Sequence, residues 1–455
     1  MSFPKYPEHK DSGVEWLGEV PAHWKLGSFR YLIKSLSNGT IANQVDQEDG
    51  SVAVSRIETI SKGEVDFSKV GHVRPNEVDK RFLLKAGDIL FSHINSLPMI
   101  GNAAVYMGGK PLLHGMNLLR IQPEESVVSS WVAYWLKSKV IRQEVESRAK
   151  PAINQASIST GSVKSLPALI PPESEQRGIT SFLDHETARI DALVEEQQHL
   201  ISLLKEKRQA VISHAVTKGL DPDVTMKDSG VEWLGEVPAH WDVVAIKWLS
   251  AVQRGASPRP IDDPAYFDEN GEYGWVRIAD VTASSGQLES TMQTLSKLGS
   301  SLSVKLQPGS LFVSIAGTVG KPCITSIKAC IHDGFVYFPE LTINPNFLYQ
   351  IFESGLCYLG LGKMGTQLNL NTDTVGGIKV AVPPHNEIEK ILQTLEHDLG
   401  NIDTMSRQAE EIVALMQERR SALISAAVTG KIDVRGWMPP ADAAPAHQDA
   451  RMEAV

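Results

Sequence analysis

Hydrophobic residues recur at intervals of three and four in two long segments of the chain. The first series is Ile179, Leu183, Ile190, Leu193, Leu200, Leu204 and Val211, and the second is Ile391, Leu395, Ile402, Met405, Ile412, Met416 and Leu423. Polar residues separate them, and each series also has poor positions, namely Glu186, Gln197 and Lys207, then Asp398, Ala409 and Arg419. A narrow, interrupted apolar stripe is typical of a coiled-coil seam. The pattern predicts two long helices that pair with each other, and antiparallel pairing is the economical arrangement.

The segments between these helices have a different pattern. Short β-rich runs at 51–60, 88–92, 275–281, 310–315 and 335–338 alternate with turns rich in Gly, Asn and Ser. One helical stretch is expected in each segment, at 127–146 and at 346–359, the second beginning at an N-cap provided by Asn344 or Asn346. Each segment is therefore predicted to form a mixed α/β domain.

The sequence also contains an internal repeat. Residues 10–24 and 227–241 both read KDSGVEWLGEVPAHW, and residues 171–221 align without a gap on 383–433 with 18 of 51 positions identical. Between these matched ends the two halves diverge, which indicates one framework carrying two different surfaces. We predict an α+β fold of two mixed α/β domains, joined by two long helices that form an antiparallel coiled coil with an internal pseudo-two-fold repeat.

Composition and charge limit the possible functions. The 455 residues include 44 Lys+Arg and 54 Asp+Glu, a net charge of -10, which argues against a polycation that coats nucleic acid. Residues 1–165 carry a net charge of +3, whereas 166–226, 227–382 and 383–430 each carry -4. The three cysteines form no metal-binding motif, and there is no run of 18 apolar residues. We expect a cytoplasmic protein without a membrane anchor.

The paired motifs resemble those of the specificity subunits of type I restriction–modification enzymes. The resemblance rests on SGVEWLGEVPAHW at Ser12 and Ser229, on Gly87-Asp88-Ile89-Leu90 with a weaker copy at Gly309, and on Ile170-Pro171-Pro172 before a long helix. It covers nearly the whole chain, up to about Asp433. It implies target recognition domains at 1–165 and 227–378, spacer helices at 166–226 and 379–433, and a tail at 434–455 that we expect to be disordered.

The resemblance also implies a function and a set of partners. Each recognition domain would read one half of a split, asymmetric site on double-stranded DNA, and the helices would set the spacer. Two modification subunits would dock on the helices, and restriction or translocase subunits could join them. This chain would be a recognition subunit rather than an enzyme and would bind no cofactor. S-adenosylmethionine, and ATP with Mg²⁺ for restriction, would belong to the partners.

Candidate DNA contacts are polar and basic side chains on the loops of the two domains. Arg suits guanine in the major groove, and Asn or Gln suits adenine. The predicted residues are Arg56, His93, Asn95, Asn154 and Gln155 in the first domain, and Arg254, Arg277, Lys321, Lys363, Gln367 and Asn369 in the second. Any one of them could instead stabilise a loop, and the matched Arg56 and Arg277 could hold a shared structural salt bridge. The repeated tryptophans Trp16/Trp233 and Trp24/Trp241 are expected to serve packing.

Other functions remain possible from the residues alone. The segment Gly317-Thr318-Val319-Gly320-Lys321-Pro322 departs from a phosphate loop at both flanks, and Asn344-Pro345-Asn346-Phe347 departs from a methyltransferase signature. No convincing catalytic or metal-ligating set emerges, but spacing does not exclude a dispersed site. The alternatives are a stand-alone methyltransferase or nuclease, and a coiled-coil scaffold that presents two binding domains.

Overall fold

The computed structural model describes residues 3–153, 155–361 and 370–439. The chain forms two compact units, one of Met1–Gln197 with Glu411–Val455 and the other of Gln198–Glu410. Both units combine helices with small sheets, so the predicted α+β class is confirmed. The two long helices pass through both units, and each unit contains part of both.

The first unit consists of short strands, three short helices and parts of the two long helices. Its strands are β1 (His9–Asp11), β2 (Glu19–Pro21), β3 (Lys25–Ser28), β4 (Ile33–Asn38), β5 (Val52–Val54), β6 (Gly71–Val73), β7 (Ile89–Ser92), β8 (Ile94–Asn95), β9 (Ala103–Val105), β10 (Leu112–Leu113), β11 (Leu118–Pro123), β12 (Lys150–Ala152), β13 (Gln155–Ser157) and β14 (Pro167–Ile170). Its short helices are α1 (Ser129–Lys137), α2 (Lys139–Arg148) and α3 (Thr160–Lys164), and α4 (Glu173–Lys218) is the first long helix.

An antiparallel sheet of order β4-β11-β7-β9 forms the centre of the first recognition domain. Helix α1 packs on it through Trp131 and Trp135, which are fully buried with Ile89 and Phe91 of β7. Two further sheets, β10-β5-β6 and β12-β13-β8, extend from this centre and carry the loops of the domain. Burial of large aromatic side chains supplies most of the hydrophobic stabilisation here.

The second unit has a different sheet arrangement. Its strands are β15 (Met226–Asp228), β16 (Glu236–Pro238), β17 (Asp242–Ala245), β18 (Gln253–Arg254), β19 (Tyr273–Val276), β20 (Gln287–Leu288), β21 (Gln293–Leu295), β22 (Val304–Leu306), β23 (Leu311–Ser314), β24 (Pro322–Thr325), β25 (Ala329–Ile331), β26 (Phe335–Tyr337) and β27 (Lys379–Val382). Its helices are α5 (Ile278–Ala283), α6 (Lys297–Ser301), α7 (Pro345–Glu353), α8 (Thr372–Gly377) and the second long helix, α9 (His385–Val428).

Two sheets form the body of the second recognition domain. One has the order β18-β26-β23-β24-β20 and the other β21-β19-β25-β22, with β19 parallel to β25. Phe312 and Phe335 make an edge-to-face contact at 5.3 Å in a core that also contains Val276. Helix α7 begins after Asn344, whose side chain accepts a hydrogen bond from the Asn346 amide, so the predicted N-cap is confirmed.

The repeated fifteen-residue motif is a hairpin that attaches to the start of a long helix. In the first unit the Trp24 indole Nε1 donates to Glu175 Oε2 at 2.9 Å, and His23 Nε2 lies 2.6 Å from Glu175 Oε1. Both Trp24 and its repeat Trp241 are fully buried. The packing role expected for this pair of tryptophans is therefore confirmed.

The second unit makes the same contact through the equivalent residues of the repeat. Trp241 Nε1 donates to Glu387 Oε1 at 3.1 Å, and His240 Nε2 lies 2.8 Å from Glu387 Oε2. The two strands that connect each domain to its frame also pair in the same way, β3 with β14 and β17 with β27, both antiparallel. Each variable domain thus begins and ends at one two-stranded stem.

The two long helices pair antiparallel, as predicted. In the first unit Arg420 of α9 makes a bidentate ion pair with Asp191 of α4, at 2.7 and 3.0 Å. In the second unit Arg208 of α4 reaches Asp403 of α9 at 3.3 Å. Asp191 and Asp403, like Arg208 and Arg420, are identical positions of the 212-residue repeat, so one sequence feature produces the same contact twice.

Several local predictions were wrong. Leu193, Met405 and Ile412 of the predicted seam are exposed, whereas Ala409, counted as a poor position, is 2% exposed. A small side chain allows close approach of the helices there, which a scale of hydrophobicity does not register.

Errors also occur within the domains and at the tail. The runs predicted as strands at 51–60 and 275–281 are strands only in part, because β5 ends at Val54 before a 3-10 helix at Glu58–Ile60, and β19 ends at Val276 before α5. The helix predicted over 127–146 is two helices, broken at Ser138. The tail predicted to be disordered from 434 is partly packed, because Val434 is buried and Trp437 contacts Phe182. Residues 440–455 lie outside the described part.

The repeated glutamate allows a direct test of the frame. Glu175→Ala leaves the buried Trp24 N–H without its partner and should lower the free energy of unfolding by about 1.5–3 kcal/mol, because hydrogen bonds to charged groups contribute that much. Glu387→Ala should have a smaller effect, since the side chain of Glu387 is more exposed. Calorimetric unfolding of the full chain measures both. Glu173→Ala, an exposed carboxylate two residues away, is the control, and an equal effect of all three would contradict the assignment.

The stability of the first unit should fall in weak acid. Burial lowers the pKa of His114 to about 4, whereas an unfolded histidine titrates near 6.5. Below about pH 6.5 the unfolded chain therefore binds a proton that the folded chain does not, and stability decreases as the pH falls. Between pH 7 and pH 5 this group alone should cost about 2 kcal/mol. Urea unfolding at the two pH values measures the loss, and His114→Gln should reduce it; an undiminished loss would contradict the prediction.

Candidate nucleic-acid interface

Three predicted contacts of the first domain lie on neighbouring strands. Ala156 of β13 is paired with Asn95 of β8, and the backbone carbonyl of His93 accepts from the Ile158 amide at 2.9 Å. Gln155, at the start of β13, is exposed. The topology thus brings His93, Asn95 and Gln155 together from segments sixty residues apart. Asn154 lies outside the described residues.

These side chains differ in how free they are. Asn95 donates to the Ser92 hydroxyl at 3.2 Å and accepts from the Ser96 amide at 2.8 Å, so it stabilises its own loop. Burial of the His93 ring lowers its pKa, which keeps it neutral. Gln155 therefore has the most accessible side chain of the three for an external ligand.

Arg56 lies two residues after the end of β5, with its side chain exposed. Its Nε donates to Gln44 Oε1 at 2.5 Å. An open cavity of about 430 Å³ lies beside it, lined by Arg56, Glu58, Ser61, Ser68, Lys69 and Val70. Arg56 thus faces solvent at a polar hollow large enough for a group the size of a base.

Arg277 occupies the matching place in the second domain, directly after β19. It is exposed, and its guanidinium donates to the side-chain oxygen of Gln293. Neither Arg56 nor Arg277 makes a salt bridge with a carboxylate in the part of the chain that the structure describes. The alternative of a shared structural salt bridge is therefore wrong, and the shared partner is a glutamine amide.

A second basic cluster of this domain forms around Asp333. Arg254 Nε donates to the Asp333 backbone carbonyl, Arg259 donates to its carboxylate at 3.1 Å, and Ser257 donates to the same carboxylate at 2.9 Å. Burial, together with the charges of Arg254 and Arg277, lowers the pKa of the adjacent His332. One loop residue, Asp333, thus holds two arginines at the surface, Arg254 through its backbone carbonyl and Arg259 through its carboxylate.

Lys321 has a structural role. Its Nζ donates to the carbonyls of Thr282 and Ser284, both at 3.1 Å, at the C-terminal end of α5. These carbonyls have no partner within the helix, so the ammonium group satisfies them. The remaining candidates of the second domain, Lys363, Gln367 and Asn369, lie outside the described residues.

Sequence reasoning missed Gln44, Gln293, Arg259 and Asp333. Each becomes visible only through a contact with a residue 12 to 79 positions away in the chain. The matched positions of the two halves indicated Arg56 and Arg277, but no motif marks the residues that hold them.

The described residues contain no group of three side chains suited to a metal ion, and the three cysteines are buried and unpaired. No described helix is both long and apolar enough to cross a membrane. Exposed arginines and amides on two unlike domains, mounted on one repeated frame, are typical of a protein surface that contacts DNA.

Comparisons with known proteins agree with this class. Residues 238–414 match the family model described as type I restriction modification DNA specificity domain. The chain is 28% identical over 443 residues to the putative type I restriction enzyme MjaX specificity subunit of Methanocaldococcus jannaschii, covering 92% of this chain and 96% of that protein. This chain is therefore similar over most of its length to specificity subunits of type I restriction enzymes, and the predicted role of a recognition subunit agrees with these relatives.

Two further similarities extend over most of the chain. The EcoKI specificity subunit of Escherichia coli K12 is 22% identical over 405 residues, with 85% of this chain and 83% of that protein covered. A structure solved in work on the assembly and conformational transition of the type I R-M system superposes with a TM-score of 0.71 at 14% identity, covering 90% of this chain and 98% of that chain. The second similarity shows a shared fold.

Proposed function

We propose that each recognition domain reads one half of a bipartite, asymmetric DNA site. The observation that carries this is the frame contact made twice, Trp24 with Glu175 and Trp241 with Glu387, beneath domains whose sheets and loops differ. Two domains that attach to the frame in the same way but have different surfaces would recognise two different half-sites. The long helices set the non-specific spacer between them and dock two modification subunits.

The distribution of charge supports binding of DNA together with partners. Only the first domain is net basic, at +3, while the helical segments and the second domain are acidic. Specific protein–DNA complexes require several cationic contacts to phosphates. Basic partner subunits therefore supply part of the phosphate contacts, and they also bind S-adenosylmethionine. Restriction subunits that use ATP and Mg²⁺ would join the same assembly.

Exposed leucine side chains on the long helices support the docking of two like partners. Leu203 is 47% exposed in the second unit and Leu415 is 65% exposed in the first. The two leucines are the same position of the repeat, as are Leu193 and Met405, which are 37% and 49% exposed. Large apolar side chains exposed on a helix at matched positions are typical of protein interfaces. Each unit thus presents one copy of the same apolar pair.

Replacing one recognition domain tests the division into half-sites. Exchanging residues 27–165 for the corresponding domain of another specificity subunit should change one half of the recognised site and leave the other half and the spacing as they were. The first half of β3 and all of β14 are retained, and the exchanged second half of β3 pairs with β14 through backbone hydrogen bonds, so the frame contacts persist. Mapping methylated adenines in DNA modified by the assembled complex gives the site. A change in both halves would contradict the modular reading.

Substitution of the matched leucines tests the docking surface. Leu203→Glu and Leu415→Glu should each weaken binding of one modification subunit at least tenfold, because a buried leucine contributes about 1.5–3 kcal/mol. The double variant should bind neither subunit. Native mass spectrometry of the assembled complex counts the subunits.

The neighbouring exposed positions Ser202→Glu and Ala414→Glu add the same charge at matched positions and serve as controls. Complexes with two modification subunits in all the leucine variants would rule out this surface.

A further inference from the structure

We propose that Arg56 with Gln44, and Arg277 with Gln293, are the base-reading pairs of the two domains, each glutamine acting as the positioning residue for its arginine. The proposal rests on the proposed function and assigns one reading pair to each half-site. Gln44 and Gln293 were not suggested by any motif.

The two arginines have similar places in the sheet topology although the sequences around them differ. Each arginine follows a strand that has one parallel and one antiparallel neighbour, β5 between β10 and β6, and β19 between β25 and β21. Each then precedes a short helical segment. A similar place in the topology of two diverged domains indicates that the arginine is placed by the fold and not by a chance loop.

The residue three positions later fixes each arginine backbone. The Arg56 amide donates to Thr59 Oγ1 at 2.8 Å, and the Arg277 amide donates to Asp280 Oδ2, also at 2.8 Å. Threonine and aspartate achieve this by different chemistry at the same position. The side chain of each arginine therefore leaves the sheet edge from a fixed point.

The partner of each guanidinium is neutral. Structural arginines of this chain contact carboxylates, as Arg120 does with Asp88 and Arg420 with Asp191. Gln44 and Gln293 offer an amide oxygen, which orients the guanidinium without cancelling its charge. The amide nitrogen of each glutamine remains a donor. All four side chains are exposed.

The first pair lies directly against Gly71, where any larger residue would have to displace both side chains. A Cβ atom built on Gly71 of β6 would lie 2.4 Å from Gln44 Oε1 and 2.6 Å from Arg56 Nε. The backbone of Gly71 needs no positive φ, so the absence of a side chain there serves the position of this pair. The strand and the pair thus fit each other.

The chemistry of the pair suits the edge of a base pair. Arginine can donate two parallel hydrogen bonds to O6 and N7 of guanine, and a glutamine amide can donate to an acceptor of the adjacent base. An arginine held in advance loses less conformational entropy on binding than a free one. We therefore assign a guanine, next to a base with a major-groove acceptor, to each pair.

The test uses the full chain assembled with its modification subunits. Binding to a DNA library that contains the wild-type site and all its single-base changes is measured for Gln44→Ala and Gln293→Ala. Gln143→Ala on α2 and Gln287→Ala on β20 are matched controls, since both are exposed glutamines of the same domains outside the pairs. Gln44→Glu and Gln293→Glu keep the size of the side chain but neutralise the arginine.

Gln44→Ala should reduce discrimination about tenfold at one or two base positions of one half-site, and Gln293→Ala should do so in the other half-site only. The glutamate variants should lose more, with unchanged thermal unfolding. Weakening that is uniform over all sequences, with a shallower salt dependence, would overturn the proposal in favour of a phosphate contact. The proposal would also be overturned if the glutamine variants discriminated between DNA sequences as well as the control variants do. Failure of the proposed function is distinct, because the wild-type complex would then select no bipartite site.

Discussion

A carboxylate at the start of each long helix joins the parts of this protein. Glu175 and Glu387 each bond a buried indole and a histidine of the hairpin that opens a recognition domain. A carboxylate near a helix N-terminus is also favoured by the helix dipole. Because the hydrogen-bonded indole is buried, the hairpin is fixed at this point, and the variable domain can differ freely above it.

The paired helices also make the same contact twice, at repeated positions along their length. The Asp–Arg contacts at 191/420 and 403/208 occupy repeated positions, and each pins one unit's portion of the helix pair. These pairs are partly exposed, so each contributes little to stability by itself. These ion pairs fix the register of the two helices, because a shift of one helix along the other would break both ion pairs at once. Apolar positions between them are left exposed, and a partner that covers them would complete the hydrophobic packing that the two helices do not provide alone.

The frame could be predicted from the sequence because its residues appear twice. Trp24 and Trp241, the Asp and Arg positions and the seam residues Ile179 and Ile391 all sit in repeated segments, so divergence elsewhere made them visible. Ala409 and Leu193 show the limit of the pattern, since helix geometry and partner binding decide burial there. The domains were harder to predict, because the hydrogen bond that accompanies the change from strand to helix uses Thr59 after Arg56 but Asp280 after Arg277, so the two halves share no sequence signal there.

The contacts of the candidate arginines show why their partners escape sequence analysis. Arg254 is held by a backbone carbonyl 79 residues away, and Arg56 by an amide 12 residues away. Such contacts form across loops whose residues are free to change, provided that the strand before each arginine keeps its place. A fixed strand with different loop partners in the two domains would allow a new DNA site to arise by changes in a few loop residues, without any change in the frame.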